Sequence, residues 1–402
     1  MVSTVTSYAD SRNKAAPGQG YDGVVKVSTG GVYGTGVLLY GGQAILTAAH
    51  LFKNGSAPST VTFETSAGVK TLTSSKATIL PGYDASSLNN DLAIVWLNGH
   101  APVTAQRYDI YRASDEIGQA MTFVGYGKPG TGAAGMSSSY SGAPIRQKAS
   151  NTFDADASAL KAKAGAIMPW APKPGTQLIA DFDNGSSAQD ALGRFLNLKH
   201  TGLGQSEGIL SSGDSGGPAF IGGKVAGIAS YISTLSMGSA HPDIDNSLNS
   251  SFGEIAAWQR VSAQQQFIDQ AIRASYSDAP TRMSEVKQTV VEGQSGSITN
   301  AYFLVELTSP RKDPGKTFSL NFTTRDGTAK AGEDYLANKG TLVFYPNQTK
   351  AVVAVEIVGD NKPEANETFY MDFTNPSGAA LDNGALVLTG MRTIVNDDLW
   401  SA

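Results

Sequence analysis

Gly213-Asp214-Ser215-Gly216-Gly217-Pro218 decides how this 402-residue chain is read. A serine hydroxyl is unreactive at neutral pH. A nucleophilic serine therefore needs a base to take its proton and donors to hold the oxyanion that its attack creates. Small Gly213 ahead of Asp214, with Gly216 and Gly217 behind, lets the backbone turn sharply enough to aim the amides of Gly213 and Ser215 at one point. In a chain with 45 glycines the plain alternative is a flexible turn without chemistry. The partners found elsewhere in the sequence separate the two readings.

The base must be one of four histidines. His50 closes Ala44-Ile45-Leu46-Thr47-Ala48-Ala49-His50, an apolar run that reads as a buried strand passing into a short helical turn, a rigid support for a base. His100, His200 and His241 stand in polar stretches that read as solvated loops. Asp91 opens Asp91-Leu92-Ala93-Ile94-Val95-Trp96-Leu97 and so stands at the mouth of a buried strand, where a carboxylate can be desolvated yet hydrogen-bonded. There it can fix the tautomer of the base and stabilise the imidazolium. Taken alone, Asp91 would read as a surface acid; beside His50 and Ser215 it completes a set.

These segments resemble those of the trypsin-like (chymotrypsin-fold) serine proteases. The resemblance rests on Thr47-Ala48-Ala49-His50, on Pro81-Gly82-Tyr83-Asp84 with Leu88-Asn89-Asn90-Asp91-Leu92-Ala93, and on Gly213 to Pro218, in the order His, Asp, Ser. Val124-Gly125-Tyr126-Gly127, the run from Val225 to Tyr231, and Arg260-Val261-Ser262 leading into a terminal helix at 264–274 extend it over residues 21–276. The resemblance implies an all-β fold of two antiparallel β-barrels with a C-terminal helix. His50 and Asp91 would come from the first barrel and Ser215 from the second, with the amides of Gly213 and Ser215 as the oxyanion hole. It further implies Ile209 at the base of the substrate pocket and Ser230, Tyr231 and Ile232 along its wall. No acid stands at that base, which favours cleavage after small or medium apolar residues, with Glu207 as the neighbouring acid that would upset this. Relatives made as zymogens pair a freed N-terminus with the acid before the serine, here Asp214. Residues 1–20 offer only Arg12 and Lys14 as basic candidates and no Arg-Ile-Val-type site, so some other donor is expected to satisfy Asp214.

The coarse pattern agrees with an all-β chain. Short β-branched runs such as Val24-Val25-Lys26-Val27, Val61-Thr62-Phe63 and Lys224-Val225-Ala226-Gly227-Ile228 alternate with Gly, Asn and Ser turns. Helical spacing is expected only over 254–274, where Ile255, Trp258, Val261, Phe267, Ile268, Ala271 and Ile272 form a stripe. Net charge is -5 and the basic residues form no run, which speaks against nucleic acid and anionic membranes as partners. No stretch is long and apolar enough to span a bilayer. The polar extension 1–20 lacks the apolar core of a secretory signal, although the resemblance implies a secreted or cell-surface protein acting on protein or peptide substrates. There are no cysteines, hence no disulfides, which fits a bacterial rather than an animal secreted enzyme of this kind.

Beyond a loose stretch at 277–283 the texture changes to strands with regularly spaced acids. Val290-Val291-Glu292-Gly293, the run from Asp326 to Tyr335, Gly340-Thr341-Leu342-Val343-Phe344, Asn366-Glu367-Thr368-Phe369 and Val395-Asn396-Asp397-Asp398 resemble a Calx-beta module over 284–398. That resemblance implies an immunoglobulin-like β-sandwich with calcium held at its strand ends. Glu292, Asp334, Asp360, Glu364, Asp397 and Asp398 are the matching acids, while Gly359 and Asn361 stand where further acids are common. No cofactor is expected for catalysis. Shorter acidic stretches, Asp154-Ala155-Asp156 and Asp181-Phe182-Asp183-Asn184-Gly185, lack an acid at the twelfth position of a calcium loop and read as turns. The competing reading of the whole chain is a catalytically silent pair of barrels that serves, with the sandwich, as an adhesin or binding protein.

Overall fold

A computed structural model of the chain describes residues 2–52, 58–199, 202–308, 310–311 and 313–398. It divides into two compact units, Met1–Ile268 and Asp269–Ala402, the division falling within the helix Gln265–Ser275.

The first unit holds two antiparallel β-barrels, each a seven-stranded sheet. The first comprises β1 (Val24–Thr29), β2 (Val32–Leu38), β3 (Ala44–Thr47), β4 (Ser59–Thr65), β5 (Gly68–Ser74), β6 (Lys76–Ile79) and β7 (Ala93–Trp96), in the order β5-β4-β1-β2-β3-β7-β6. Strand β4 buries alternate residues, as its β-branched sequence demands. Central β3 is buried along its whole length and packs Ile45 with Val25, Val27, Leu38, Phe63 and Val95. The second comprises β8 (Ala120–Gly125), β9 (Gln147–Thr152), β10 (Ala155–Asp156), β11 (Gln177–Asp181), β12 (Pro218–Ile221), β13 (Lys224–Ser233) and β14 (Ile255–Arg260), in the order β9-β8-β12-β13-β14-β11-β10. Phe123, Phe153, Leu178 and Trp258 form its core, with both phenylalanines edge-on to the indole at 5.7 Å.

Four elements differ from the reading of the sequence. Residues Ile255–Arg260 form a strand, not the first turns of a helix, and only Gln265–Ser275 is helical. The strand lies between β13 and β11 and is buried on both faces, so its apolar residues do not alternate and Ile255 and Trp258 imitate helical spacing. Two short helices, Ala157–Ala164 and Ala191–Leu196, occupy stretches where no helix was expected; Asp156 and Asp190 cap them by accepting from Ser158 N and Gly193 N. Ser3–Thr4, within the polar N-terminal stretch, pair with Gly130–Thr131 and with Gly208–Ile209 in a small separate sheet.

In the second unit, β15 (Thr289–Val291), β17 (Phe318–Asp326), β18 (Lys339–Phe344), β20 (Glu367–Ser377) and β21 (Val387–Val395) form one sheet in the order β15-β21-β20-β17-β18. The hairpin-like pair β16 (Ile298–Glu306) and β19 (Lys350–Val358) forms the other layer. Phe303, Phe344, Val355, Phe369 and Met371 fill the space of the sandwich between them.

Candidate active site

His50 sits on the 3-10 turn Ala49–Phe52 directly after β3. Asp91 has no exposed surface. Its Oδ1 accepts from His50 N at 2.8 Å, and its Oδ2 accepts from His50 Nδ1 at 2.7 Å and from Ser230 Oγ at 2.5 Å. A carboxylate offers only acceptors, so the ring proton lies on Nδ1 and Nε2 is left as the basic nitrogen. The chain is bent to deliver Asp91. Leu88 and Asn90 both adopt left-handed backbone, with φ of 53° and 57°, and the second barrel holds that bend. Gln259 Nε2 donates to Leu88 O at 2.8 Å, and Gln177 Nε2 donates to Asn89 Oδ1 at 2.9 Å. A strained loop fixed from outside in this way is the usual setting of a functional carboxylate.

The Ser215 turn joins the two barrels. Ser215 O accepts from Thr35 N at 2.8 Å, and Gly216 N donates to Ala229 O at 2.8 Å, one residue before Ser230. Gly216 has φ of +84°, and a Cβ there would lie 2.0 Å from Thr47 Oγ1 and 2.9 Å from Ala48 N, two residues before His50. Only glycine allows this approach. Among the described residues the amides of Asp214, Gly216 and Gly217 donate to Ser211, Ala229 and Asp214 carbonyls, whereas those of Gly213 and Ser215 donate to nothing. Gly213 reaches its arrangement with φ of +102°, and Thr35 Oγ1 donates to its carbonyl at 3.0 Å. Two free amides one residue apart are the donors that an oxyanion needs. The Ser215 hydroxyl is half-buried and makes no hydrogen bond among the described residues, to His50 or to any other group. In substrate-free sites such a contact is commonly long.

Asp214 is buried, and burial pushes its carboxyl up to about 6. The backbone answers with Gly127 N to Oδ1 at 2.7 Å and Ser211 N to Oδ2 at 2.8 Å. Both oxygens are thus satisfied by donors on neighbouring turns.

The residues read as the substrate pocket are placed less simply. Ile209 has no exposed surface and packs in the core cluster that includes Phe123, Phe153 and Trp258. Ser230 is buried and its hydroxyl faces Asp91, so its side chain supports the acid. Tyr231 and Ile232 are half-buried. The Tyr231 hydroxyl donates to Gln177 Oε1 at 2.9 Å and accepts from Trp170 Nε1 at 3.1 Å. Glu207 is buried, and burial pushes it up to about 8. Its two oxygens accept from Asp183 N and Leu203 N, so its carboxyl is engaged by backbone. His100 is half-buried, His241 is exposed, and His200 lies outside the described residues. Thr35, Gln177, Gln259 and the supporting role of Ser230 were not singled out from the sequence, because each acts across a long separation that no local pattern marks.

In the second unit, carboxylate oxygens of Glu292, Asp360 and Asp398 lie within 4.8 Å of one another, as do those of Asp334, Glu364 and Glu367. Glu367, at the start of β20, is an addition to the acids read from sequence. Asp397 stands apart from both groups and accepts from Gly293 N at 3.0 Å. Burial raises Glu292, Glu367 and Asp398, and the neighbouring carboxylates raise them further. Asp398 Oδ2 is buried without a hydrogen-bond partner. Lys362 Nζ contacts Glu364 Oε1. Hard oxygens gathered against their own repulsion, one of them orphaned, fit a divalent cation of the calcium type. At Gly359 a Cβ would lie 2.4 Å from Ser297 Oγ and 2.5 Å from Gly293 O. The acid common at that position has no room here. Asn361 Oδ1 instead accepts from Ser295 N at 3.1 Å.

Comparison with known proteins bears on both units. The Trypsin family profile matches residues 10–161, which include His50 and Asp91 and stop short of Ser215. The Calx-beta domain profile matches residues 278–398. Sodium/calcium exchanger 2 of Homo sapiens is 33% identical over 108 residues, 24% of this chain and 12% of the exchanger. Sodium/calcium exchanger 1 of Canis lupus familiaris is 38% identical over 86 residues, 20% of this chain and 9% of the exchanger. The Drosophila melanogaster exchanger Calx is 34% identical over 88 residues, 22% of this chain and 9% of the exchanger. The chain therefore spans only 9–12% of the length of these relatives. A solved structure of neuropsin, a serine protease expressed in the limbic system of mouse brain, aligns over 65% of this chain and 98% of its own, at 17% identity and a TM-score of 0.46. The chain carries a trypsin domain and a Calx-beta domain.

Proposed function

We propose that the protein is a serine endopeptidase that hydrolyses peptide bonds through an acyl-enzyme. The carrying observation is the hydrogen-bonded set of His50, Asp91 and Ser230 beside a turn that leaves the Gly213 and Ser215 amides without acceptors. Ser215 attacks the carbonyl, His50 Nε2 takes the proton and returns it to the leaving amine, and Asp91 holds the imidazolium. The two free amides bind the oxyanion. The engagement of Glu207 by backbone amides leaves that acid unready to pair with a substrate Lys or Arg, which supports cleavage after small or medium apolar residues.

The Calx-beta unit would hold calcium through Glu292, Asp360 and Asp398 and through Asp334, Glu364 and Glu367, the ion neutralising carboxylates that otherwise repel one another. Hydrolysis of casein and of short peptides ending in Ala, Val, Leu or Arg tests the catalytic reading. Turnover on the apolar series is expected, and Ser215→Ala should abolish it. Equal casein hydrolysis by parent and Ser215→Ala would refute the assignment of the nucleophile, and a strong preference for Arg would refute the specificity.

A further inference from the structure

The two residues with free amides, Gly213 and Ser215, have their carbonyls held by a single residue of the first barrel. Thr35, on β2 and without exposed surface, gives its backbone N–H to Ser215 O at 2.8 Å and its hydroxyl to Gly213 O at 3.0 Å. That hydroxyl in turn accepts from Tyr126 N at 3.0 Å. A hydroxyl carries one proton. With the Tyr126 amide on a lone pair, the proton is directed at Gly213 O. Thr35 O accepts from Thr47 Oγ1 at 2.7 Å, at the end of β3 and three residues before His50. A β-branched side chain has few rotamers open to it, so the hydroxyl is fixed along with the strand.

Gly213 needs such a hold. With φ of +102° and no Cβ to confine it, the direction of its free N–H is set by the two peptide planes that meet at its Cα. The plane before it is tied at Ser212 O, which accepts from Lys128 N at 2.8 Å. The plane after it is tied at one end by Asp214 N, which donates to Ser211 O at 2.9 Å, and at the other by Thr35 Oγ1 on Gly213 O. A single bond lets a plane rock about it, whereas bonds at both ends do not. Among the described residues Thr35 Oγ1 is the only group that donates to Gly213 O. Ser215 differs. Thr35 holds its carbonyl through the backbone, which any residue but proline would supply, and Asp214 O, in the plane that carries Ser215 N, accepts from Gly217 N at 2.7 Å. The Thr35 hydroxyl therefore bears on one donor of the two.

We infer that Thr35 is a positioning residue for catalysis, its hydroxyl locking the Gly213 amide toward the oxyanion. The inference rests on the endopeptidase reading and concerns a side chain that acts through Gly213. Such donors act on charge that develops only in the transition state, so a loosened donor slows the chemical step and leaves substrate binding alone. Removing a donor outright costs about 10^2–10^3-fold in kcat; a donor still present but no longer aimed costs less, on the order of tenfold.

The test compares Thr35→Val, which keeps the shape and loses the hydroxyl, with Thr35→Ser, which keeps the hydroxyl, in the full chain. Labelling of Ser215 to completion with a fluorophosphonate counts competent sites, so that rates refer to active enzyme alone. Thr35→Val should lower kcat on an apolar peptide about tenfold, with KM held within about threefold. Inhibition by the matching peptide aldehyde, whose hemiacetal oxygen occupies the same position, should weaken by the same factor. Thr35→Ser should bring both back to within about threefold of the parent. The pH midpoint of kcat/KM should stay at the parent's value in every variant, because His50 and Asp91 are untouched. Thr35→Ala carries the same expectations where Thr35→Val does not fold. Parent-like kcat and aldehyde inhibition in the folded hydroxyl-free variant, or a loss that Thr35→Ser does not restore, would overturn the inference and leave the endopeptidase reading standing. A folded parent that neither labels nor turns over would overturn that reading and the inference with it.

Discussion

The two units handle their acids in opposite ways. In the trypsin unit Asp91 and Asp214 are buried, and each carboxylate is matched by donors: three bonds on Asp91, two backbone amides on Asp214. In the Calx-beta unit six acids meet one another at strand ends and Asp398 Oδ2 meets nothing. Carboxylates supplied with donors by the fold are ready to orient a base, whereas carboxylates left to repel one another await a cation.

The sharpest way to break this contrast is at Asp91. Asp91→Asn keeps the shape but forces His50 toward the wrong tautomer, and kcat on an apolar peptide should fall about 10^4-fold. A loss below tenfold would mean that the buried acid does not orient the base. On the other side, Asp334→Asn with Glu367→Gln should weaken calcium binding by the sandwich on the order of 10–100-fold and leave peptide hydrolysis unchanged. Calcium titration by calorimetry alongside the peptide assay reads both, and calcium affinity equal to the parent's would show these acids to be merely solvated. Ser230→Ala removes one of three bonds to Asp91 and should lower kcat/KM about tenfold, the worth of one hydrogen bond to a charged group. Unchanged kcat/KM would reduce Ser230 to packing.

The smallest effect concerns Glu207, whose folded-state carboxyl is raised by burial from 4.5 to about 8. A raised acid stabilises the fold at low pH, and that contribution is lost as pH climbs from about 4.5 through about 8. Relative to the parent, Glu207→Gln should therefore gain stability as pH rises across that window, read as the difference in thermal midpoints at pH 5 and pH 8.5. A pH-independent difference would mean that Glu207 titrates alike in the folded and unfolded chain.

Much of the catalytic reading was legible because it is written in short segments. Ala44–Thr47 leads a buried strand straight into the His50 turn, and the glycines around Ser215 announce a turn that only glycine allows. What stayed hidden acts across distance. Gln259 holds Leu88 O from a strand 171 residues away, and Ser230 reaches Asp91 across 139. Ile255–Arg260 misled because a strand covered on both faces loses its period of two. Glu367 was passed over because its partners Asp334 and Glu364 meet it only when strand ends converge.

The central claim is that His50 and Asp91 activate Ser215. Its most direct measurement is labelling of the folded protein with a fluorophosphonate, with the modified peptide located by mass spectrometry. Modification at Ser215 in the parent, and its loss in His50→Ala at an unchanged thermal midpoint, is the expected result. A folded parent that takes up no label at Ser215, or a His50→Ala protein labelled as fast as the parent, would contradict it.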